Sequence, residues 1–287
     1  MKTLKKILYF PLTKIFIGLI VCGGIINLGQ LILIKALSYT SISKDFKDLI
    51  GGMLVALLMI VSYIYLYRLY EKRKITEFSK NHIVKSLTTG FVLGALLQSL
   101  TIMVIYLKGG YSVLSVNSIS FIIKPLTLAF TSAIIEETFF RGIIFRIVEE
   151  KLGSYFALII SALLFGMMHL ANPNSSLTVA LGLAIQAGLL LAAAYIYSRN
   201  LWFPIAIHFA WNFTQSAIFG ANVSGKSVTK TLITSKISGA DWFTGGQFGP
   251  EGSVQATLFC LTATIILLIL SHRQKKIIKP YWNKNKY

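Results

Sequence analysis

The chain has 287 residues, of which 55% are hydrophobic and 13% charged, and its mean hydropathy is +0.69. An ordinary soluble domain cannot bury that much apolar surface, so the composition indicates a membrane protein. Lysine and arginine outnumber aspartate and glutamate by 28 to 10. Because these cations flank apolar runs, they favour a role in membrane topology, and no nucleic acid is expected as a partner.

Apolar segments long enough to cross the hydrocarbon core as helices recur along the whole chain. The eight candidates are Leu12–Ile34, Leu49–Tyr70, Ile83–Leu107, Phe121–Val148, Tyr155–Leu170, Leu177–Tyr197, Trp202–Phe219 and Val254–Ser271. These runs are continuously apolar, whereas strands that span a membrane are short and alternate. The sequence therefore predicts an all-α polytopic membrane protein that forms a single domain over residues 1–287.

Basic residues mark alternate connections between these segments. The N-terminus, the stretch Glu71–Lys85, the turn at Arg199 and the tail Arg273–Lys286 are rich in lysine or arginine, and the other connections are less cationic. Positively charged loops tend to stay in the cytoplasm. We therefore expect both termini in the cytoplasm and the protein in the plasma membrane.

The connection before the last segment contains Gly220–Ser227, which has the spacing of a phosphate-binding loop. Such a loop works between a strand and a helix whose N-terminus faces the phosphates. Here a membrane helix precedes it, on the side of the membrane where nucleotide is scarce. The sequence therefore predicts no nucleotide partner.

The fourth segment carries three charged residues in an otherwise apolar helix. Glu137 and Arg141 are four residues apart, so they share one helix face and can neutralise each other. Glu136 is rotated about 100° away from Glu137. Ionisable groups within membrane helices are costly and usually functional. Glu136 is therefore the carboxylate that is free to act as a base.

Polar pairs also occur in the fifth and seventh segments. Phe165 and His169 are four residues apart, as are His208 and Asn212. A rise of about 1.5 Å per helical residue puts Glu136 and both histidines at depths of about 10–20 Å from the cytoplasmic helix ends. We therefore expect these side chains to meet inside the bilayer.

These three motifs resemble those of the CPBP group of intramembrane proteases, also called Abi proteins, which includes the type II CAAX prenyl endopeptidases. The group's Glu-Glu-x-x-x-Arg, Phe-x-x-x-His and His-x-x-x-Asn/Asp patterns occur here in order on successive membrane helices. The resemblance covers roughly Thr131 to Phe219, within a catalytic core at residues 121–219. It implies a catalytic site made of Glu136, Glu137, Arg141, His169, His208 and Asn212.

The resemblance implies hydrolysis of a peptide bond in a cavity that is reached from one membrane face. Glu136 would activate the attacking water and His169 would help to hold it. His208 and Asn212 would stabilise the oxyanion of the tetrahedral intermediate by donating hydrogen bonds. The expected partners are a peptide or membrane-protein substrate, cut near a terminus or a leader, and the lipid bilayer. The sequence does not decide whether that substrate is prenylated.

A zinc ion is one of two alternatives for this site. Glu136, His169 and His208 could form an open site with three protein ligands. The His-Glu-x-x-His helix of many zinc proteases is absent, however. A metal-free mechanism with a glutamate-activated water is equally open.

Two other functions remain open from the sequence. A non-catalytic membrane scaffold or a bacteriocin self-immunity protein could retain the polar cluster without turning over a substrate. A proton-coupled transporter could use glutamate and histidine as a relay, but the inverted repeats common in transporters are not visible. The intact set of six residues favours the protease.

Overall fold

The structure is a computed structural model that describes residues 6–283, and it is built mainly of helices. The helices are α1 (Pro11–Ser38), α2 (Lys44–Tyr70), α3 (Ile83–Leu107), α4 (Ile123–Glu137), α5 (Arg146–Met168), α6 (Leu177–Leu183), α7 (Leu189–Ser198), α8 (Trp202–Phe213), α9 (Asp241–Thr244) and α10 (Val254–Arg273). Wider π-helical turns continue them at Thr138–Phe145, Ala184–Gly188 and Thr214–Ile218. Two short strands, β1 (Tyr111–Val116) and β2 (Ile233–Ile237), complete the described fold.

Six helical stretches within residues 6–283 are long and apolar enough to cross a membrane. One of them, Ile119–Ala171, has 53 residues and contains two of the segments predicted from the sequence. The predicted segment Trp202–Phe219 is helical almost throughout, with 12 α-helical residues followed by 5 π-helical ones, but it is not one of these six stretches. The all-α polytopic architecture is confirmed, and the chain is an integral membrane protein.

A glycine inside α5 kinks the long stretch Ile119–Ala171. Gly153 has φ +80° and ψ 172°, a backbone conformation that residues with a Cβ atom rarely adopt. A Cβ at this position would lie 2.7 Å from the carbonyl oxygen of Ile278. The amide of Ser154 donates to that same oxygen over 2.9 Å. The break therefore also seats the C-terminal tail against the bundle.

Ion pairs between distant parts of the chain form a network at one end of the bundle, here called the ionic belt. Ion pairs join Lys14, Glu71, Arg73, Glu77, Arg146 and Glu150. The separate pair of Glu149 with Arg199 completes the belt. Glu71 lies at its centre, 2.6 Å from Lys14 Nζ and 2.9 Å from Arg146. Burial alone would raise the pKa of Glu71, but Arg146 and the hydrogen bonds from Lys14 and Arg73 bring it below its usual value. The stretch Glu71–Lys85 and the turn at Arg199, both predicted to be cytoplasmic, therefore lie at the same end, where the Leu201 amide donates to the Glu77 carbonyl.

The opposite end of the bundle is covered by residues 220–253, here called the cap. Strand β2 of the cap pairs antiparallel with β1, which follows α3. The Gly225 amide donates to Phe248 within the cap over 2.8 Å, and Asn174 Nδ2 donates to the Gly225 carbonyl over 3.1 Å. The cap is therefore folded against the loop that follows His169.

Helix α8 lies inside the bundle and packs against α3, α4 and α7. Its close crossing with α3 depends on Gly94, where a Cβ would lie 2.3 Å from the carbonyl oxygen of Ile207. Small residues at such crossings let membrane helices approach each other closely. This packing holds the neighbouring residue His208 between α4 and the rest of the core.

Candidate active site

The two adjacent glutamates of α4 have different surroundings. Glu137 is fully buried, and its Oε1 lies 3.0 Å from Arg141 and 3.0 Å from His208 Nδ1. Arg141 is equally buried, donates to the Gly188 carbonyl over 3.0 Å and lies over the ring of Phe165. Glu137 is therefore held in place on one side by the guanidinium and supports the imidazole on the other.

Glu136 turns away from this pair, as one helical step of about 100° requires. Its side chain is 23% exposed, and its Oε2 lies 4.0 Å from His208 Nε2. That oxygen has no hydrogen-bond partner among the described residues. The gap exceeds a direct hydrogen bond, but one water molecule could bridge the two atoms. Glu136 is thus the carboxylate of the pair that is available for chemistry.

The hydrogen bond to Glu137 fixes which nitrogen of His208 faces the site. Glu137, paired with Arg141, accepts, so His208 Nδ1 carries the proton and donates. In the neutral ring, Nε2 then presents a lone pair toward Glu136. A second proton on the ring would convert Nε2 from an acceptor into a charged donor.

His169 lies where α5 ends in a 3-10 turn, His169–Ala171. Its Nδ1 is 2.8 Å from the Phe165 carbonyl, which can only accept, so Nε2 is left with its lone pair. The ring of Phe165 packs on the His169 ring at 4.8 Å and meets the His208 ring at 6.1 Å. Phe165 therefore orients both histidines as well as covering Arg141.

A cavity of about 40 Å³ adjoins both histidines. His169, His208 and Asn212 line it, so the structure brings three of the six predicted site residues to one space. Glu136 lies near the Nε2 side of the His208 ring. Glu137, which is paired with Arg141, contacts the Nδ1 side of the same ring. The volume has room for about three water molecules. The arrangement combines a free carboxylate and two oriented imidazoles beside a small cavity whose lining is mainly apolar.

Sequence reasoning missed the cavity residues that come from other segments. Gln186 lies in the π-helical turn after α6, and Ser224 and Glu251 belong to the cap. Glu251 was not predicted as a site residue because the composition of its connection is that of an ordinary loop. A carboxylate placed directly before an apolar span was the one available signal. Because Glu251 lines the cavity, the cavity borders the capped end of the bundle.

The described residues do not form a ready-made metal site. Among residues 6–283, no three His, Cys, Asp or Glu side chains converge as a metal-binding group. As placed, Glu136, His169 and His208 do not fit a three-ligand zinc site, so no chemical step below is assigned to a metal. Zinc stays a prediction that requires a direct metal experiment.

Comparison with known proteins points to one family. Residues 118–214 match the family model described as Type II CAAX prenyl endopeptidase Rce1-like. Over 79 residues, the chain is 34% identical to "Putative membrane peptidase YdiL" of Bacillus subtilis (strain 168). That alignment spans 28% of this chain and 30% of the relative. No solved structure matches. The resemblance to the CPBP proteases is confirmed, and all six predicted site residues lie inside the matched region.

Proposed function

Because residues 118–214 are an Rce1-like region in an integral membrane protein, we propose that this protein is an intramembrane endopeptidase. It hydrolyses a peptide bond near the terminus or the leader of a membrane-associated substrate. The observation that carries this proposal is the unpaired Glu136 carboxylate, 4.0 Å from His208 Nε2 in the polar interior of the bundle.

In the proposed reaction, Glu136 is the general base. It takes a proton from a water molecule as the water oxygen attacks the scissile carbonyl carbon. His169 holds this water, because the lone pair on Nε2 can accept the second water proton. Glu136 Oε2 lies near His208 and has no hydrogen-bond partner among the described residues, which leaves it free to accept the first water proton.

The negative charge of the tetrahedral intermediate develops on the carbonyl oxygen. The Asn212 amide lines the cavity and supplies a hydrogen-bond donor. His208 can donate from Nε2 once it shares the proton that Glu136 has taken from water. Proton transfer to Glu136, the base, therefore allows His208 to act as an oxyanion donor. Donors fixed in a low-dielectric site stabilise the developing charge strongly.

Glu137 and Arg141 are positioning residues in this proposal. Glu137 accepts a hydrogen bond from His208 Nδ1, which fixes the tautomer and the orientation of the ring. Arg141 compensates the negative charge of Glu137 where neither group reaches water. The same arrangement of carboxylate behind histidine orients catalytic imidazoles elsewhere.

The proposed substrate is a peptide segment of a protein associated with the lipid bilayer of the plasma membrane. A cavity of about 40 Å³ cannot hold several residues, so the peptide must displace its water and part of the surrounding wall. Ser224 and Glu251 of the cap are the lining residues that lie outside the helical bundle. We propose that substrate reaches the cavity at the edge of the cap.

The test is cleavage of a fluorogenic peptide library by the full chain purified in detergent. The library contains prenylated and unprenylated peptides, and wild type is compared with Glu136→Ala and His169→Ala. We expect wild type to cut a subset of peptides and both variants to lose at least about 100-fold in rate. Parallel reactions with chelator, and with zinc added back, decide whether the reaction needs a metal.

Thermal unfolding of each variant accompanies these assays, so that a lost rate is not confused with lost folding. The proposal fails if wild type cuts no peptide, or if the folded variants cut as fast as wild type. In either case the polar cluster is structural, and a scaffold or self-immunity role replaces the protease.

A further inference from the structure

Glu251 is a buried carboxyl group that the reaction outlined above does not use. It lies in the turn Pro250–Gly252 of the cap, directly before α10, and is 5% exposed. Its Oε1 accepts a hydrogen bond from the Ser224 amide. Its Oε2 is buried and has no hydrogen-bond partner among the described residues. An unpaired buried carboxyl oxygen is costly, and Glu251 lines the cavity, so its Oε2 is free to bond a molecule held there.

The surroundings of Glu251 favour the protonated form. No described lysine or arginine forms an ion pair with it, and burial raises its pKa to about 8. The hydrogen bond from Ser224 opposes this shift but does not cancel it. At neutral pH the group is therefore mainly a carboxylic acid, with an O–H that can be donated.

The position of Glu251 connects it with the proposed reaction. It lines the same cavity as His169, His208 and Asn212. Glu136 is on α4 and lies 4.0 Å from His208 Nε2, whereas Glu251 belongs to the cap. A peptide bond held in the cavity would therefore have one carboxyl group on the side of α4 and another on the side of the cap.

We propose that Glu251 is a further catalytic residue, the general acid that protonates the leaving amine. This inference rests on the proposed peptidase function. Hydrolysis of an amide needs such a donor because the amine leaves poorly as an anion. A pair of carboxyl groups on either side of the scissile bond is a recurrent way to divide base and acid roles.

The proton balance is complete without a further reactant. Glu136 removes one proton from water while the new C–O bond forms. When the intermediate collapses, the C–N bond breaks, its electron pair stays on nitrogen, and nitrogen takes the Glu251 proton. The products are a carboxylic acid and an amine. Water in the cavity then carries the proton from Glu136 back to the Glu251 carboxylate, which restores the starting state.

The test variant is Glu251→Gln, since its carbonyl oxygen can still accept from the Ser224 amide but it has no acidic proton. The matched control is Asp241→Asn, because Asp241 is the other acidic residue of the cap and is exposed. Glu251→Asp, which retains an acid, serves as the rescue variant. Unfolding midpoints of all three in detergent identify any variant that is misfolded.

Each full-length variant is assayed with a peptide amide that wild type cuts and with the p-nitrophenyl ester of the same acyl part. The ester's leaving group needs no proton. We expect Glu251→Gln to lower kcat for the amide by about 100-fold or more, and to leave kcat for the ester nearly unchanged. Glu251→Asp should recover part of the amide rate, and Asp241→Asn should match wild type on both substrates.

Equal losses on amide and ester would mean that Glu251 only supports the cap, and an unchanged amide rate would mean that it has no part in the reaction. Either result overturns the general-acid assignment while the peptidase function stands. A wild-type protein that cleaves neither substrate overturns both proposals together.

Discussion

The two adjacent glutamates at the end of α4 differ in burial and in hydrogen bonding. Glu137 is fully buried between the Arg141 guanidinium and the His208 ring, so both of its neighbours depend on its charge. Glu136, one position earlier, is partly exposed, and its Oε2 makes no hydrogen bond with a described residue. Removing charge from the two positions must therefore have different consequences, although the substitutions are chemically identical.

We expect Glu137→Gln to lower the free energy of unfolding by about 3 kcal/mol, because Arg141 would remain buried without an anionic partner. The matched variant Glu136→Gln should change it by less than about 0.5 kcal/mol, since that side chain is partly exposed and loses no hydrogen bond. Both should be inactive. Thermal or denaturant unfolding in detergent measures the difference. Equal stability of the two variants would contradict the buried-pair interpretation.

At the scale of single elements, much of the site could be predicted from spacing. The interval of four residues between Glu137 and Arg141 fixes a shared helix face, and the structure has their ion pair at 3.0 Å. The break at Gly153 was less visible, because a glycine in a helical pattern is often tolerated. The close approach of the tail at Ile278 makes that glycine necessary, and contacts over such distances in the chain leave no local pattern.

The break can be tested with Gly153→Ala. The added methyl group would meet the Ile278 carbonyl, and the positive φ would be strained, so we expect a loss of about 1–3 kcal/mol. Gly182→Ala is the control, because no atom lies within 4 Å of a Cβ there and alanine favours the helix. Unfolding midpoints and limited proteolysis of the tail report the two effects. A Gly153→Ala protein that matches the control would contradict this account of the turn.

At the scale of the whole molecule, charge patterning predicted which connections lie together but not how they pair. The ionic belt contains Glu71, Glu149 and Glu150, which a count of loop charges treats only as neutralising residues. Their partners are distant in sequence, so no local rule identifies them. For the same reason, Glu251 and the cavity beneath the cap could not be derived from motif spacing.

The expected orientation can be measured with single accessible cysteines. We expect Asp241→Cys in the cap to react with a membrane-impermeant maleimide in intact cells, and Asn81→Cys near the ionic belt to react only after permeabilisation. The native Cys22 and Cys260 are fully buried and should give little background. The reverse labelling pattern would invert the orientation. Labelling of both positions in intact cells would contradict the separation of the cap from the ionic belt.

The pairing of β1 with β2 has a consequence for biosynthesis. Tyr111 pairs with Ile237 and Val116 with Ile233, across more than a hundred intervening residues. During synthesis, the helices that carry Glu136, His169 and His208 emerge before β2 exists, and contacts this distant in sequence form slowly. We expect the nascent protein to pass through a stage in which its helices are inserted while the pocket is still uncovered. Closure of the cap is then a late step of maturation, separate in time from insertion into the bilayer.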